Sequence, residues 1–247
     1  MAVYAGPDIV ENGLVLHLDA ANRRSYPGTG TGWFDLSGSN NHFQLFNSPT
    51  FNVNKFIFDG LNDYARSINT VNISNTNNIT VEYIFNPLTY TTGSGTGKVL
   101  MEATTNFNSN ITGFYFGYND TGPGPWPYDI SVNVKGNNGY NINAWDKGFL
   151  QSNIPVFFTA VLNKSLSGQR ETILYTNGIF RNPVNYVSEF NNDNTNNFGN
   201  DLIFINGRNG SEFFGNIEIY SIKIYNRVLS TFELQQNFNA LRGRFNL

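Results

Sequence analysis

Short apolar segments with a period of two residues recur along this chain, and turn-forming residues separate them. The clearest runs from Ile79 to Phe85, and its alternation is the pattern of a β-strand. Asp59-Gly60, Asn177-Gly178 and Asn206-Gly207 follow other apolar runs, and such dipeptides favour turns. Many short strands between turns predict an all-β fold, a two-sheet antiparallel jelly-roll sandwich.

Further strands are predicted at residues 13–19, 56–58, 99–102, 113–118, 129–134, 156–162, 172–175, 202–205 and 217–225. A length of 247 residues suits one large β-domain. The sequence has no evident internal repeat and no Pro- or Ser-rich linker. We therefore predict that residues 1–247 form a single domain.

The C-terminal segment adds a strand whose apolar residues change parity, followed by a helix. Ile217 and Ile219 fall on one parity and Ile222 and Ile224 on the other. Either both faces of this strand are buried, or a bulge near residues 220–221 shifts the register.

The helix that follows has a clear N-terminal signal. Ser230 is a good N-cap, and Glu233 three residues later completes a capping box. An apolar stripe continues at Leu234, Phe238, Leu241 and Phe245. We predict one short C-terminal helix that covers an end or an edge of the sandwich.

The composition excludes several classes of function. Charged residues make up only 13% of the chain, the net charge is −3, and no basic stripe is visible, so we predict no nucleic-acid partner. The chain contains no cysteine, which excludes disulfides and thiolate metal sites. No window approaches the roughly 20 apolar residues of a membrane span. Residues 1–13 lack the basic and apolar regions of a signal peptide, so we expect neither membrane insertion nor signal-directed export.

Catalytic patterns are weak. Glycosidases on sandwich folds use paired carboxylates that alternate along one strand, whereas Glu82 and Glu218 each stand alone and are interpreted as solvent-facing charges. Only His17 and His42 could supply a triad base. We expect His17 to be packed and hydrogen-bonded within its strand, and His42 to lie in a loop. The sequence predicts no enzymatic activity and no required cofactor.

Calcium is the metal that the side chains suit best, because it accepts carboxylate and amide oxygens from loops. With two histidines and no cysteine, zinc is improbable. For Asp59, we favour the alternative that the carboxylate caps its own turn. The candidate calcium ligands, which stand in loops or at strand ends, are Asp35, Asp59, Asp63, Asp120 and Asp201.

A glycan site needs exposed aromatic rings beside carboxylate and amide groups. Residues 118–129 contain both, and their prolines reduce the entropy lost on binding. The alternative is that the tryptophans of this region are loop anchors packed on the sandwich. The predicted glycan-binding residues are Tyr118, Asp120, Trp126, Tyr128 and Trp145.

The last residues predict a protein interface, since arginines interleaved with apolar residues are typical of interface hot spots. The candidate residues are Leu241, Arg242, Arg244 and Phe245. The alternative is that this stripe docks the helix on its own sandwich.

Four segments, in order along the chain, resemble laminin-G-like, concanavalin-A-type jelly-roll domains. They are residues 13–20 with 33–38, residues 56–64, residues 157–162 with 172–178, and residues 213–245, whose strand ends Ile224-Tyr225-Asn226-Arg227. The resemblance implies the jelly-roll fold and makes one structural calcium plausible. Many members carry Asp-Glu just before this strand end, where the present chain has Tyr220 and Ser221.

The ending, residues 238–245, looks most like versions of the domain in tailed-phage particles, notably those of marine myophages. That resemblance implies a virion surface protein: a capsid decoration, a fibre or an adhesin component. We therefore predict a non-enzymatic virion structural protein, made in the host cytoplasm and homo-oligomeric. Its expected partners are other virion proteins and a host-surface glycan. The alternatives are a secreted or surface lectin module and a carbohydrate-active enzyme.

Overall fold

A computed structural model describes residues 7–89, 97–104, 106, 109–120, 128–145, 148, 150–166, 171–181, 186–189 and 194–247. At positions 119, 120, 128, 143–145 and 186–189 the description covers the backbone only. Strands are numbered β1 to β19 in chain order, and the helix is α1, Thr231–Phe245. None of the described helices is long and apolar enough to cross a membrane.

The first layer is an antiparallel sheet of eight described strands. They are β1 Leu14–Asp19, β4 Thr50–Asn52, β5 Lys55–Asp59, β8 Asn78–Pro87, β13 Val156–Asn163, β14 Thr172–Thr176, β15 Ile179–Phe180 and β19 Asn216–Tyr225. Seven of them follow the order β15-β14-β13-β8-β19-β5-β4, and β1 pairs with β19 beside this path. The same edge of β19 pairs with β5 along its first half and with β1 along its second half.

The second layer is an antiparallel sheet of nine described strands. They are β2 Gly32–Trp33, β3 Phe43–Phe46, β6 Tyr64–Ser67, β9 Lys98–Ala103, β10 Phe114–Asp120, β11 Tyr128–Gly136, β12 Gly139–Trp145, β16 Tyr186–Glu189 and β18 Ile203–Ile205. Their order is β16-β12-β11-β10-β9-β18-β6-β3-β2. A small sheet pairs β7 Val71–Asn72 with β17 Asn200–Asp201. The predicted all-β, two-sheet sandwich is confirmed.

Apolar side chains from the facing surfaces of both sheets form the core. On β8, Val81, Tyr83 and Phe85 point inward, and on β11 Ile130, Val132 and Val134 do the same. The alternate residues of these strands point outward, because successive side chains of a strand face opposite ways. The period-two pattern of the sequence therefore corresponds to two buried inner faces.

Strand β19 contains the predicted bulge. Its pairing with β8 shifts between Ile219 and Ser221, so Tyr220 is the extra residue. This shift turns Ile222 and Ile224 to the core face that Ile217 and Ile219 already occupy. The bulge alternative is confirmed, and it explains the change of parity.

Helix α1 has the predicted capping box, in which the Ser230 side chain accepts a hydrogen bond from the Glu233 N–H and the Glu233 carboxylate accepts one from the Ser230 N–H. The predicted stripe is buried, with Phe238, Leu241 and Phe245 packed on outward-facing residues of the eight-stranded sheet. The helix thus covers the outer face of that sheet, and the prediction that it covers an end or edge is wrong. That face offers the apolar side chains of Ile84, Phe157 and Tyr220 to the stripe.

Candidate ligand-binding site on the nine-stranded sheet

Polar and aromatic side chains cross the outer face of the nine-stranded sheet in one row, which we call the transverse row. Each member is the registered cross-strand partner of the next, and such partners lie about 5 Å apart. From β3 to β12 the row consists of Gln44, Arg66, Phe204, Glu102, Tyr115, Asn133 and Ile142. From β3 to β11 the apolar neighbours of these residues along each strand point into the core, so the sheet itself places the row on the outer face.

Glu102, near the centre of the row, is buried and paired with an arginine. Its side chain is 1% exposed, and Arg208 Nε donates to its Oε2 over 3.3 Å. Burial raises the pKa of Glu102 to about 7, against the lowering effect of Arg208, while nearby Glu212 adds to the rise. Glu102 is therefore a carboxyl that changes charge near neutral pH.

The guanidinium of Arg208 lies between two aromatic rings. It stands 5.4 Å from the ring centre of Tyr115 and 4.8 Å from that of Phe213. Both distances suit cation–π attraction. The two rings and Glu102 together hold Arg208, whose side chain remains 24% exposed.

The loop that carries Arg208, residues 206–215, is fixed at its base by Asn206. The Asn206 amide donates to the carbonyls of Asp63 and Gly215, at 2.9 and 3.0 Å, and accepts from the Gly215 N–H at 3.0 Å. The Val99 N–H donates to the Phe213 carbonyl at 3.0 Å, which ties the loop to β9. Because these bonds join the loop to the sheet, Arg208 is positioned before any ligand arrives.

Phe213 has an unusual backbone conformation. Its φ of 59° lies in the left-handed region, which disfavours a bulky residue. Strain of this kind costs on the order of 1–3 kcal/mol and concentrates at functional sites. The ring is 41% exposed, so the strained residue presents an aromatic face at the surface.

Beside this ring lies a cavity of about 190 Å³. It is lined by Gly97, Lys98, Val99, Tyr115, Arg208 and Phe213. The cavity is smaller than typical drug-sized pockets of roughly 300–1,000 Å³. It combines donors from Lys98 and Arg208 with an aromatic wall, which suits a small polar ring.

Asn133, the neighbour of Tyr115 in the row, is fully buried. Neither its amide nitrogen nor its amide oxygen has a hydrogen-bond partner. A buried polar group without a partner costs free energy and calls for an explanation. Packing alone does not explain why a polar side chain occupies this position on the outer face.

Tyr118 is the one predicted glycan-binding residue whose side chain the structure describes. Its ring is buried in the core, 6.0 Å from the ring of Phe85. A ring in this position is not an exposed platform, because the inward parity of β10 turns it away from the surface. The side chains of Asp120, Tyr128 and Trp145, and all of Trp126, lie outside the described residues, so their role stays a prediction.

The predicted assembly residues divide into two groups. Leu241 and Phe245 are buried against the chain's own sheet, as the docking alternative expects, and are not available to a partner. Arg244 donates to Asp19 at 2.6 and 3.1 Å. Arg242 is exposed. The assembly interface stays a prediction that rests on the arginines.

The described candidate calcium ligands are occupied by the chain's own donors. Asp59 accepts from the backbone of its own turn at 2.8 Å; burial acts to raise its pKa, but these N–H groups lower it overall. Asp35 accepts from the N–H groups of His17, Ser37 and Asn41. Among the described residues no group of three or more His, Asp or Glu could hold a metal ion.

The other candidate calcium ligands also have partners within the chain. Asp63 accepts from the Asp59 N–H at 3.1 Å. Asp201 accepts from Asn110 and Thr112. The side chain of Asp120 is not described.

Glu82 and Glu218 are buried, so their interpretation as solvent-facing charges is wrong. Lys223 pairs with Glu82 at 2.8 Å and Lys55 pairs with Glu218 at 2.6 Å, and these partners make burial possible. Both carboxylates lie in the eight-stranded sheet, away from the transverse row.

The two histidines serve the structure around them. His17 is packed as expected, although its Nε2 has no hydrogen-bond partner. Burial, together with nearby Lys223 and Arg244, lowers its pKa to about 3. His42 accepts from the Asp35 N–H at 3.1 Å.

No motif in the sequence predicts a site at Glu102, Tyr115, Asn133, Arg208 and Phe213. One signal was present: on β11, Ser131, Asn133 and Lys135 alternate with apolar residues, which is typical of a polar sheet face. No sequence pattern joins this face to residues 206–215, because the sheet pairing creates that contact.

The fold is that of antiparallel β-sandwich domains, here with a capped helix on one layer and the Arg208 cavity on the other. No family model and no curated protein matches the chain. Among solved structures, the receptor-binding domain of botulinum neurotoxin C/D mosaic serotype is 16% identical, with a TM-score of 0.68 over 94% of this chain and 52% of that chain.

Two further structures are similar. The binding domain of botulinum neurotoxin serotype D is 15% identical, with a TM-score of 0.66 over 94% of this chain and 53% of that one. Trypanosoma rangeli sialidase in complex with sialic acid is 14% identical, with a TM-score of 0.61 over 92% of this chain and 33% of that one. The chain thus spans about half or a third of these proteins, and identities this low show the fold alone.

Proposed function

We propose that the chain is a non-enzymatic, laminin-G-like binding module on a virion surface, which recognises a host-surface glycan through the Arg208 cavity. The observation that carries the proposal is Arg208, held by the rings of Tyr115 and Phe213 in the lining of a small cavity. Aromatic rings take the apolar face of a sugar, while a fixed guanidinium donates to its oxygens.

The preorganised loop supports recognition rather than a packing role. Asn206 and Val99 fix residues 206–215 before binding, so less entropy is lost when a ligand is ordered there. Three of the similar structures also support it by analogy, since two carry the description of receptor or binding domains and one contains sialic acid. The virion setting rests on the resemblance of residues 238–245 to phage versions of the domain.

A glycan array tests the recognition step. The wild-type chain should bind at least one glycan, and Phe213→Ala should reduce that signal about tenfold or more by removing the aromatic wall. Phe232→Ala is the matched control, because Phe232 is 76% exposed on α1, on the opposite layer. No signal for the wild type would contradict glycan recognition, and loss of signal in the control would contradict the Arg208 cavity as its site.

Mass spectrometry of purified particles tests the virion setting. The protein should copurify with particles at a constant ratio to a capsid protein. Arg242→Ser tests whether the exposed Arg242 contributes to attachment to the particle. It should lower that ratio while the folded fraction of the protein stays unchanged. Absence of the wild-type protein from particles would contradict the setting.

A glycosidase is the second candidate, and the pKa of Glu102 favours it, because a general acid needs a pKa near neutrality. That mechanism requires a second carboxyl at about 5–10 Å. If the chain hydrolyses fluorogenic glycosides and Glu102→Gln abolishes that activity, the chain is a glycosidase and the binding-module proposal is wrong. No turnover together with retained glycan binding would favour the binding module.

A further inference from the structure

We infer that the Arg208 cavity binds an acidic sugar, with its carboxylate or sulfate between Lys98 and Arg208 and its ring against Phe213. This inference rests on the proposed function and adds the ligand class to it. Its basis is the charge of the cavity wall, which is opposite in sign to the net charge of the chain.

Both charged residues that line the cavity are cations. Lys98 and Arg208 reach its surface, and no carboxylate is among the described lining residues. Glu102 lies beneath Arg208 with 1% of its side chain exposed. The chain as a whole carries a net charge of −3, so a wall with two cations and no anion is a local departure from its composition. Such a wall attracts anions and repels cations.

The geometry favours one ring that carries an anionic group. The cavity of about 190 Å³ is small, and the partly exposed ring of Phe213 forms one side of it. The planar guanidinium of Arg208 matches a carboxylate or a sulfate through paired hydrogen bonds. The positions of Lys98 and Phe213 let one ligand contact a charge and an aromatic face together.

The anion and Glu102 compete for Arg208. The charged and titratable groups around Glu102 are Arg208 and Glu212 from the loop and Lys135 from β11, while Tyr115 and Phe204 flank it on neighbouring strands. When Glu102 takes up a proton, Arg208 keeps its charge while the negative charge beside it is neutralised, so an anion competes with one carboxylate fewer. Because the pKa of Glu102 is about 7, affinity for an anion should rise as the pH falls from 8 to 6.

The test compares matched carboxylated, sulfated and neutral glycans on one array, followed by calorimetric titration of the strongest ligands. The inference expects acidic glycans to bind at least tenfold more tightly than their neutral counterparts. Binding of carboxylated or of sulfated glycans alone, or of both, supports it and identifies the anion. Equal binding of neutral and acidic glycans overturns the inference and leaves the proposed function standing, whereas binding to no glycan overturns both.

Two variants and one control test the contribution of charge. Lys98→Gln should weaken acidic-glycan binding about tenfold, the size of one charge-assisted contact, and leave neutral-glycan binding unchanged. Arg24→Gln is the control, because it removes an exposed cation on the β1–β2 loop. Glu102→Gln should bind anions at pH 8 as strongly as the wild type does at pH 6. If Lys98→Gln, with an unchanged circular dichroism spectrum, binds acidic glycans like the wild type, the inference is wrong.

Discussion

At the scale of single residues, two buried asparagines show how unequally the chain satisfies its polar groups. The Asn206 amide makes three hydrogen bonds that fix the Arg208 loop, whereas the Asn133 amide makes none. Both side chains are fully buried. One asparagine therefore stabilises the fold, and the other lowers its stability at the edge of the candidate site.

Replacing these two asparagines should have opposite effects. Asn133→Leu should raise the free energy of unfolding by about 1–2 kcal/mol, because it removes a buried amide without a partner and keeps its shape. Asn206→Leu should lower it by roughly 2–4 kcal/mol, because three backbone groups lose their partner. Urea denaturation measures both; a destabilised Asn133→Leu would mean that the amide has a partner in solution.

His17 makes stability depend on pH. Its folded pKa of about 3 lies below the unfolded value of 6.5, so the unfolded chain takes up the proton more readily. The contribution of neutral His17 to the free energy of unfolding is therefore fully present above pH 6.5. It is lost as the pH falls toward 3, by at most about 1.4 kcal/mol per pH unit. Urea titrations between pH 7 and 4.5 should give a shallower slope for His17→Gln than for the wild type.

At the scale of elements, α1 docks on the eight-stranded sheet over a buried ion pair. Lys223 and Glu82 lie on adjacent strands, and Asn237 of the helix donates to Glu82 at 3.0 Å. The same asparagine accepts from the Val10 N–H at 2.8 Å. The polar contacts fix the position of the helix, and the apolar stripe packs against the sheet on both sides of them.

Removing one member of that pair should cost more than removing both. Glu82→Leu leaves Lys223 buried without its partner and should destabilise the chain by about 3–5 kcal/mol. The double variant Glu82→Leu/Lys223→Met should recover most of the loss, since no unpaired charge remains. Thermal denaturation of the single and double variants measures the difference; equal losses would show that the pair does not carry the effect.

At the scale of the whole molecule, one apolar core joins both sheets, from β1 through to β19. A single core predicts that the chain unfolds in one cooperative step, as expected if residues 1–247 are one domain. Scanning calorimetry should show one transition with equal calorimetric and van't Hoff enthalpies. Two separate transitions would contradict the single domain.

The sequence predicts what is locally encoded and misses what the sheets bring together. The parity change around Tyr220 and the cap at Ser230 are local signals, and both correspond to the structure. Glu102 and Arg208 are 106 residues apart, and only strand pairing reveals their contact. The burial of the Tyr118 ring could not be predicted for a related reason, because aromatic residues occur in core strands as readily as on surface platforms.

The short strands could not be predicted from the sequence, because an alternation of apolar and polar residues cannot be recognised over two to four residues. Val71–Asn72 and Gly32–Trp33 are examples, and their pairing depends on neighbours far along the chain. The sequence predicts the helix itself. Its position on the sheet face could not be predicted, because it depends on which outward side chains of β8, β13 and β19 are apolar.

The contact between Val10 and Asn237 lies on the layer opposite the Arg208 cavity. Residues near both ends of the described chain meet on the eight-stranded layer, whereas the Arg208 cavity opens on the opposite layer. A partner that contacts the surface around Val10 and Asn237 therefore lies against the layer opposite the cavity, and it leaves the opening of the cavity uncovered.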